Sequence, residues 1–299
     1  MNKAALKDIS SIVIRLTVTC LLAGIIMGLA FVLTHDAKAK NEQIRDERVM
    51  YSILGYDKAN PAPQTMALHT VYRYILTAGE TQTVAYLVPV SDKYSFVELD
   101  LSGAFVRQAV LDADALKLRN EGERNAAVAA VVPAGTEARY ADQFIIVTNE
   151  GKRMAYILDG RYPGFKTFIR VKMALDAQYA MLGFEVLEHE EDPGLGAEIE
   201  QKWFRGQFEG KSFEQLKAAQ VVREPMPDEL RAAITAKKPT EADAKIRADH
   251  VGDPIYALTG ATISSRSVLN GNQAMVKKFA YRMDLLDKVL QAQGIKATF

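Results

Sequence analysis

The chain has 299 residues, 48% of them hydrophobic, with 37 Lys+Arg against 37 Asp+Glu. That length supports one sizeable core or two small ones, and the absent net charge argues against a nucleic-acid partner. A single cysteine, Cys20, excludes an intramolecular disulfide, cysteine-ligated iron–sulfur clusters and c-type haem, and four histidines give little support to a zinc site.

The first eleven residues are polar and carry Lys3 and Lys7; residues 12–33 are then almost wholly apolar apart from Arg15 and a few threonines. The uninterrupted part, 16–33, is about 18 residues, near the lower length for a spanning helix. Gly24 and Gly28 form a small-xxx-small pair suited to close helix packing. The run is too long for a typical signal-peptide core, and no clean small-x-small cleavage site follows, so an uncleaved anchor over residues 1–34 is expected. Lys3, Lys7 and Arg15 favour a cytoplasmic N-terminus, although Lys38 and Lys40 lie soon after the span. The expected location is therefore the cytoplasmic (inner) membrane, single-pass, with the bulk of the chain on the periplasmic or extracellular side.

Residues 35–60 are expected to form a polar helical stalk, ended by Asn60-Pro61-Ala62-Pro63, and residues 61–299 the folded domain. Residues 71–76 and 83–90 are rich in β-branched and aromatic types and read as a hairpin around Ala78-Gly79-Glu80. An alanine-rich section over about 109–132 reads as helical. Residues 143–148 and 153–158 read as a second hairpin around Asn149-Glu150-Gly151. Residues 159–165 read as a Gly/Pro loop, 167–173 and 181–187 as strands. Residues 223–250, with Pro225, Pro227, Pro239 and many charges, read as a polar insertion holding at most a short helix.

Near the end, Thr259-Gly260-Ala261-Thr262-Ile263-Ser264-Ser265 precedes a long helical pattern in Val268, Met275, Phe279, Met283, Leu286 and Leu290. Ser264 or Ser265 is the expected N-cap, placing Thr262 in the turn before the helix. A helix N-terminus favours a phosphate, and Gly260 and Ala261 leave the backbone approachable. The same spacing equally describes an ordinary tight turn into a helix.

Thr-Gly-Ala-Thr resembles the [Ser/Thr]-Gly-Ala-Thr motif of the FMN-binding domain family. Further similarity lies upstream in the same order. Asp159-Gly160-Arg161-Tyr162-Pro163-Gly164-Phe165 is similar to a Gly-x-Gly-Tyr-x-Gly-Pro-Ile stretch. His189-Glu190-Glu191-Asp192-Pro193-Gly194-Leu195-Gly196 is similar to His-x-Glu-Thr-Pro-Gly-Leu-Gly. Trp203, Phe204, Phe208 and Gly210-Lys211 are similar to the aromatic and Gly-Lys residues that close the pattern. The resemblance implies FMN held covalently, its phosphate esterified to Thr262, with Thr259, Gly260, Ala261, Ser264 and Ser265 around the phosphate. It places Gly194, Leu195 and Gly196 beside the flavin. The family usually has an acidic residue six positions before the modified threonine; here that position is Tyr256, with Asp253 three residues earlier.

The implied function is a membrane-anchored flavoprotein subunit that relays electrons within an ion-translocating oxidoreductase of the Rnf or NADH:quinone reductase type. Its partners would be the other membrane and redox subunits of that complex, and the Ile-Ser-Ser ending leans towards Rnf. A flavin-binding membrane sensor, or an accessory subunit that has lost the flavin, are the alternatives. No general acid–base pair or nucleophile–His–acid set stands out, so no organic substrate is expected to be transformed by this chain alone. The expected fold class is α+β: a twisted, mainly antiparallel sheet flanked by helices, with the long C-terminal helix against it. Tyr256 and Trp203 are candidates to stack on the ring, with a core or interface role as the competing reading. His189 and its acidic neighbours are not expected to hold a metal, because successive residues on a strand alternate faces.

Overall fold

The computed structural model describes residues 3–111, 113 and 116–299. It divides into two units, Met1–Val49 and Met50–Phe299. The first is helical: helix α1 runs Lys3–Ile53, and its stretch Ile12–Phe31 has a mean hydropathy of 2.3, long and apolar enough to cross a membrane.

The second unit is built on an eight-stranded antiparallel sheet. The strands are β1 (Met66–Ala78), β2 (Thr81–Val90), β3 (Lys93–Asp100), β4 (Phe105–Leu111), β5 (Glu137–Asn149), β6 (Lys152–Pro163), β7 (Phe168–Asp176) and β8 (Met181–Glu188). Their order is β4-β3-β2-β1-β5-β6-β7-β8, so neighbours in sequence are nearly all neighbours in space. The β5–β6 hairpin turns through Glu150 (φ 52°) and Gly151 (φ 75°), the paired positive φ values that match the twist of the flanking strands.

Alternation along the strands splits the apolar residues between two faces. Tyr72, Tyr74, Leu76, Leu87, Phe96 and Leu111 pack on one face, under helix α2 (Glu121–Val131) through Val128. Val71, Val88, Ile146, Tyr156, Val171 and Met173 face the other way, under helix α7 (Thr262–Ala292) through Val268, Val276, Phe279, Met283 and Leu286. The fold is α+β, as the sequence leads one to expect.

Three local expectations are corrected. The helix expected over 109–132 is confined to Glu121–Val131, capped by Asn120, whose side chain accepts from Glu123 N–H. Ala109, Val110 and Leu111 instead pair with Phe96, Ser95 and Tyr94 of β3, since a waiting strand edge outweighs a weak alanine preference. Residues 159–163 are not a loop. They continue β6 and pair with β7, from Asp159↔Lys172 to Pro163↔Phe168, with the proline tolerated at the strand end.

The segment 223–250 contains two helices, α5 (Asp228–Thr235) and α6 (Glu241–Asp249). Its prolines precede helices rather than break them: Pro227 is the N-cap position of α5, and Pro239 stands before Thr240, which caps α6 reciprocally with Asp243. Leu230, Ala233 and Ile234 form a buried stripe on α5. This stripe meets the short helix α3 (Lys202–Arg205), whose following Gly206 lies under Ile234. Arg231 stacks on Trp203, its guanidinium carbon 4.6 Å from the ring centroid. A six-residue helix α4 (Phe213–Ala218) follows α3, and two short parallel strands, β9 (Val221–Val222) and β10 (Ile255–Tyr256), bracket α5 and α6 and deliver the chain to the start of α7.

Candidate functional site

Helix α7 begins at the last residue of the Thr-Gly-Ala-Thr motif. Thr262 is its first residue and Ala261 its N-cap position, where no side chain caps the helix. The expectation that Ser264 or Ser265 is the N-cap is therefore corrected; both lie buried in the first turn. Ser265 Oγ accepts from Leu258 N–H and donates to Ala261 C=O, each at 3.0 Å, folding the turn back on itself. The Ser265 hydroxyl is thus spent on the turn's own geometry. The first backbone N–H groups of a helix have no intrahelical acceptor, and Ala261 at the N-cap position offers them none from its side chain. Thr262 is half-buried, and Thr259 and Gly260 are exposed.

Gly260 has φ 76°, a left-handed conformation that side chains rarely adopt, and a Cβ there would lie 3.0 Å from Leu195 Cδ2. The loop holding Gly194, Leu195 and Gly196 therefore meets the turn before Thr262 directly. Gly194 takes φ 73°, Leu195 is 45% exposed, and Gly196 opens a short 3-10 segment, Gly196–Glu200. A Cβ on Gly196 would fall 2.6 Å from Ser264 Oγ and 2.7 Å from Glu191 Oε2, so only glycine fits between them.

Glu191 joins the site together. It is only 5% exposed, and its Oε2 accepts a short hydrogen bond from Ser264 Oγ. Oε1 accepts from Phe165 N–H at 2.7 Å and lies 3.4 Å from Lys166 N. Gly164 leaves room for it, because a Cβ there would meet Oε1 at 2.4 Å. One buried carboxylate thereby ties three chain segments, 164–166, 189–196 and 258–265, each carrying part of a sequence motif. Lys166 Nζ adds an ion pair to Asp192 Oδ1 at 2.5 Å. His189 is part of the same scaffold: its Nδ1 accepts from Glu191 N–H at 3.0 Å, and its Nε2 lies 2.9 Å from Glu200 Oε1. Among the described residues no group of three or more His, Cys, Asp or Glu converges as metal ligands would.

The sequence alone assigns Glu191 no role. A carboxylate reaching a serine 73 positions later leaves no periodic trace, and its sign in the sequence is that Glu191 falls on the glutamate of the His-x-Glu stretch before the Asp192-Pro193-Gly194 loop.

The three segments fit a phosphate-bearing flavin by three features. Thr262 offers a hydroxyl at an uncapped helix start, glycines leave the backbone open, and the segments carry exposed apolar side chains at Phe165, Leu195 and Ile263. Tyr256, in the position where the family usually has an acidic residue, donates its hydroxyl to Asp253 Oδ2 at 3.0 Å. Asp253 also holds His250 Nδ1 at 2.7 Å, which raises the imidazole above its ordinary range. Trp203 is engaged by Arg231, and Phe204 and Phe208 are fully buried, so these aromatics serve the core. Lys211 is 2% exposed; its ammonium donates to Val251 C=O and Asp253 C=O, both at 2.6 Å, and burial lowers its affinity for the proton.

Residues 164–277 match the FMN-binding domain family. The match starts at Gly164 and contains all three segments that Glu191 joins. The G component of the proton-translocating ferredoxin:NAD(+) oxidoreductase complex of Clostridium ljungdahlii is 27% identical over 127 residues, 42% of this chain and 54% of that protein. The chain thus spans about half the length of that curated relative. Among solved structures, NqrC of Shewanella oneidensis is similar over 70% of this chain and 77% of its own, at 17% identity and a TM-score of 0.36. The C component of the Na(+)-translocating NADH-quinone reductase of Parabacteroides distasonis is similar over 64% and 77%, at 20% identity and a TM-score of 0.33.

Proposed function

We propose that this chain, whose residues 164–277 match the FMN-binding domain family, is a membrane-anchored electron-transfer subunit with FMN esterified through its phosphate to Thr262 Oγ1. The observation that carries this reading is the convergence of 164–166, 189–196 and 258–265 on an uncapped helix start whose first residue is Thr262. The N–H groups of that first turn and the helix dipole hold phosphate charge. Gly194 and Gly196 let backbone N–H groups approach polar ring atoms without side-chain collision. Phe165, Leu195 and Ile263 supply apolar surface for a flat ring. Bound there, FMN supplies chemistry that connects two-electron and one-electron carriers. A tethered cofactor needs no deep pocket to retain it, which suits exchange of electrons with a neighbouring protein.

The stretch Ile12–Phe31 is the anchor in this reading, with residues 61–299 as the domain on the outer face of the cytoplasmic membrane. The partners are the other membrane and redox subunits of an ion-translocating oxidoreductase. The name of the Clostridium ljungdahlii relative, a component of a ferredoxin:NAD(+) oxidoreductase complex, favours the Rnf type.

Tyr256 favours a second reading, an accessory subunit without flavin. The covalent reading stands ahead of it because the Tyr256 hydroxyl ends on the Asp253 carboxylate, which keeps an acidic group at the tip of that side chain.

The test is in-gel flavin fluorescence after full denaturation, on the native chain and on Thr262→Ala, both made in cells that flavinylate other proteins. A fluorescent native band that disappears in the variant supports the proposal, with intact mass confirming one FMN-phosphoryl addition. A dark native band overturns it and selects the accessory reading. A band that persists in Thr262→Ala moves the attachment point elsewhere.

A further inference from the structure

The ladder between β5 and β6 is incomplete. Its pairs run only from Asn149↔Lys152 to Phe144↔Leu158. Towards the start of β5, residues 137–143 stay with β1, from Gln143↔Tyr72 to Glu137↔Thr77. Past Leu158, residues 159–163 stay with β7, from Asp159↔Lys172 to Pro163↔Phe168. The sheet therefore forks in its interior, and two strand edges face each other with no ladder between them. Such edges carry backbone N–H and C=O groups that need partners.

A cavity of about 450 Å³ lies in the fork. Ala141, Asp142 and Gln143 line it from one edge and Asp159, Gly160 and Arg161 from the other, the residues next to the last ladder pair. Alternation gives the cavity two unlike sides. Leu158 and Tyr162 belong to the core under α7, and on that side Phe144, Leu158, Phe279 and Met283 form apolar walls. Asp159 and Arg161 alternate with them and are exposed, so the fork opens on the face away from α7.

The charge on the open side is unbalanced. Asp159 is taken by Lys172 at 2.6 Å. Among the described residues Arg161 has no carboxylate partner and lies over the Phe168 ring at 4.1 Å. Arg170, directly opposite Arg161 in the β6–β7 register, makes one long contact, 3.6 Å, to Glu188. Like charges directly opposite one another are unfavourable, and a carboxylate set beside Arg161 relieves them.

We propose that the fork is a docking slot for an extended segment of another protein, which adds as a strand to the 159–162 edge of β6. Backbone hydrogen bonds to that edge give affinity, and alternate side chains give selectivity. The segment carries carboxylates on its outward positions, against Arg161 and Arg170, and apolar side chains on its inward positions, against Phe279 and Met283. The slot is separate from Thr262. Met275, the first lining residue on α7, stands 13 positions beyond it, about 20 Å at 1.5 Å per residue. None of the residues assigned to the flavin takes part.

Fluorescence anisotropy of a fluorescein-labelled heptapeptide of alternating valine and glutamate tests this, with the full-length chain in a non-ionic detergent. Saturable binding is expected, weakening as salt is added. The same peptide with N-methylated backbone amides should not bind, because it cannot join a ladder. A heptapeptide of alternating valine and lysine should not bind either. Arg161→Gln should weaken binding at least about tenfold through loss of a charge-assisted hydrogen bond, and Arg170→Gln should weaken it in the same direction. Both variants should unfold at the same or a higher temperature without peptide, since the opposed charges are reduced. Amide hydrogen exchange should slow at 159–162 when the peptide binds and stay unchanged in the turn before Thr262. No saturable binding, equal binding of the N-methylated or the lysine peptide, undiminished binding by Arg161→Gln, or protection confined to other residues would each overturn the proposal.

Discussion

The buried carboxylate of Glu191 accepts the hydroxyl of Ser264 in the first turn of α7, joining the loop that holds Gly194, Leu195 and Gly196 to the helix that starts at Thr262. With Phe165 N–H on its other oxygen, Glu191 fixes the relative position of three segments that have no continuous secondary structure between them. Replacing Glu191 by Ala leaves a buried hydroxyl and a backbone N–H without their acceptor. Two hydrogen bonds to a charged group are lost, so the variant should be less stable by about 2–4 kcal/mol, with poorer flavin incorporation. Urea denaturation monitored by Trp203 fluorescence measures this, and a loss below about 1 kcal/mol would show that the loops hold their places without it.

Gly260 sits at φ 76° against Leu195. Gly260→Ala must either strain the backbone or push the Leu195 loop away, at a cost of about 1–2 kcal/mol. Because the strain falls in the turn just before Thr262, flavin incorporation should drop more than stability does. Comparing in-gel fluorescence per unit of folded protein separates the two effects, and equal losses would reduce Gly260 to a purely structural role.

His250 gains affinity for its proton from its hydrogen bond to Asp253. A folded-state value above the ordinary one, about 6.5, means the contact stabilises the protein fully below that pH. The contribution is then lost as pH rises through the higher folded-state value. Because the ring is only partly covered at the surface, the effect should be local to the end of α6 and read by the His250 imidazole NMR titration. Asp253→Asn should move the midpoint down towards the ordinary range. An unchanged midpoint would mean that Asp253 does not hold the ring in solution.

Lys211 donates to two backbone carbonyls, those of Val251 and Asp253, from a nearly sealed position. Lys211→Met fills similar space without a donor, so both acceptors lose their partner. The expected loss is about 2–3 kcal/mol. Hydrogen exchange should rise selectively over residues 250–256, and uniform exchange across the chain would argue against this local role.

Gly206 has no room for a side chain, since a Cβ there would lie 2.4 Å from Ile234 Cγ2. Gly206→Ala should displace α5 and cost about 1–3 kcal/mol by overpacking. Limited proteolysis within residues 223–250 should accelerate in step. A neutral result would mean that α5 is not firmly docked on α3.

Local physics made much of this protein legible in one dimension. The apolar run, the β5–β6 hairpin with Glu150-Gly151 at its tip, and the spacing of Val268, Phe279, Met283 and Leu286 on α7 depend on residues close in sequence, and the structure carries them as expected. The Thr-Gly-Ala-Thr string and the residues 193–196 also stand out, because glycine at φ 76° and φ 73° is a local requirement. Other features were settled only when distant segments met. Residues 159–163 became strand because β7 lay beside them, and Ala109 became strand because β3 did. The segment 223–250 became two helices, of which α5 has a buried face on α3, although its prolines resemble breakers when nothing is known of what they precede. The Glu191–Ser264 bond belongs wholly to the tertiary structure. It joins side chains from two segments whose spacing in the chain bears no fixed relation to their spacing in the fold.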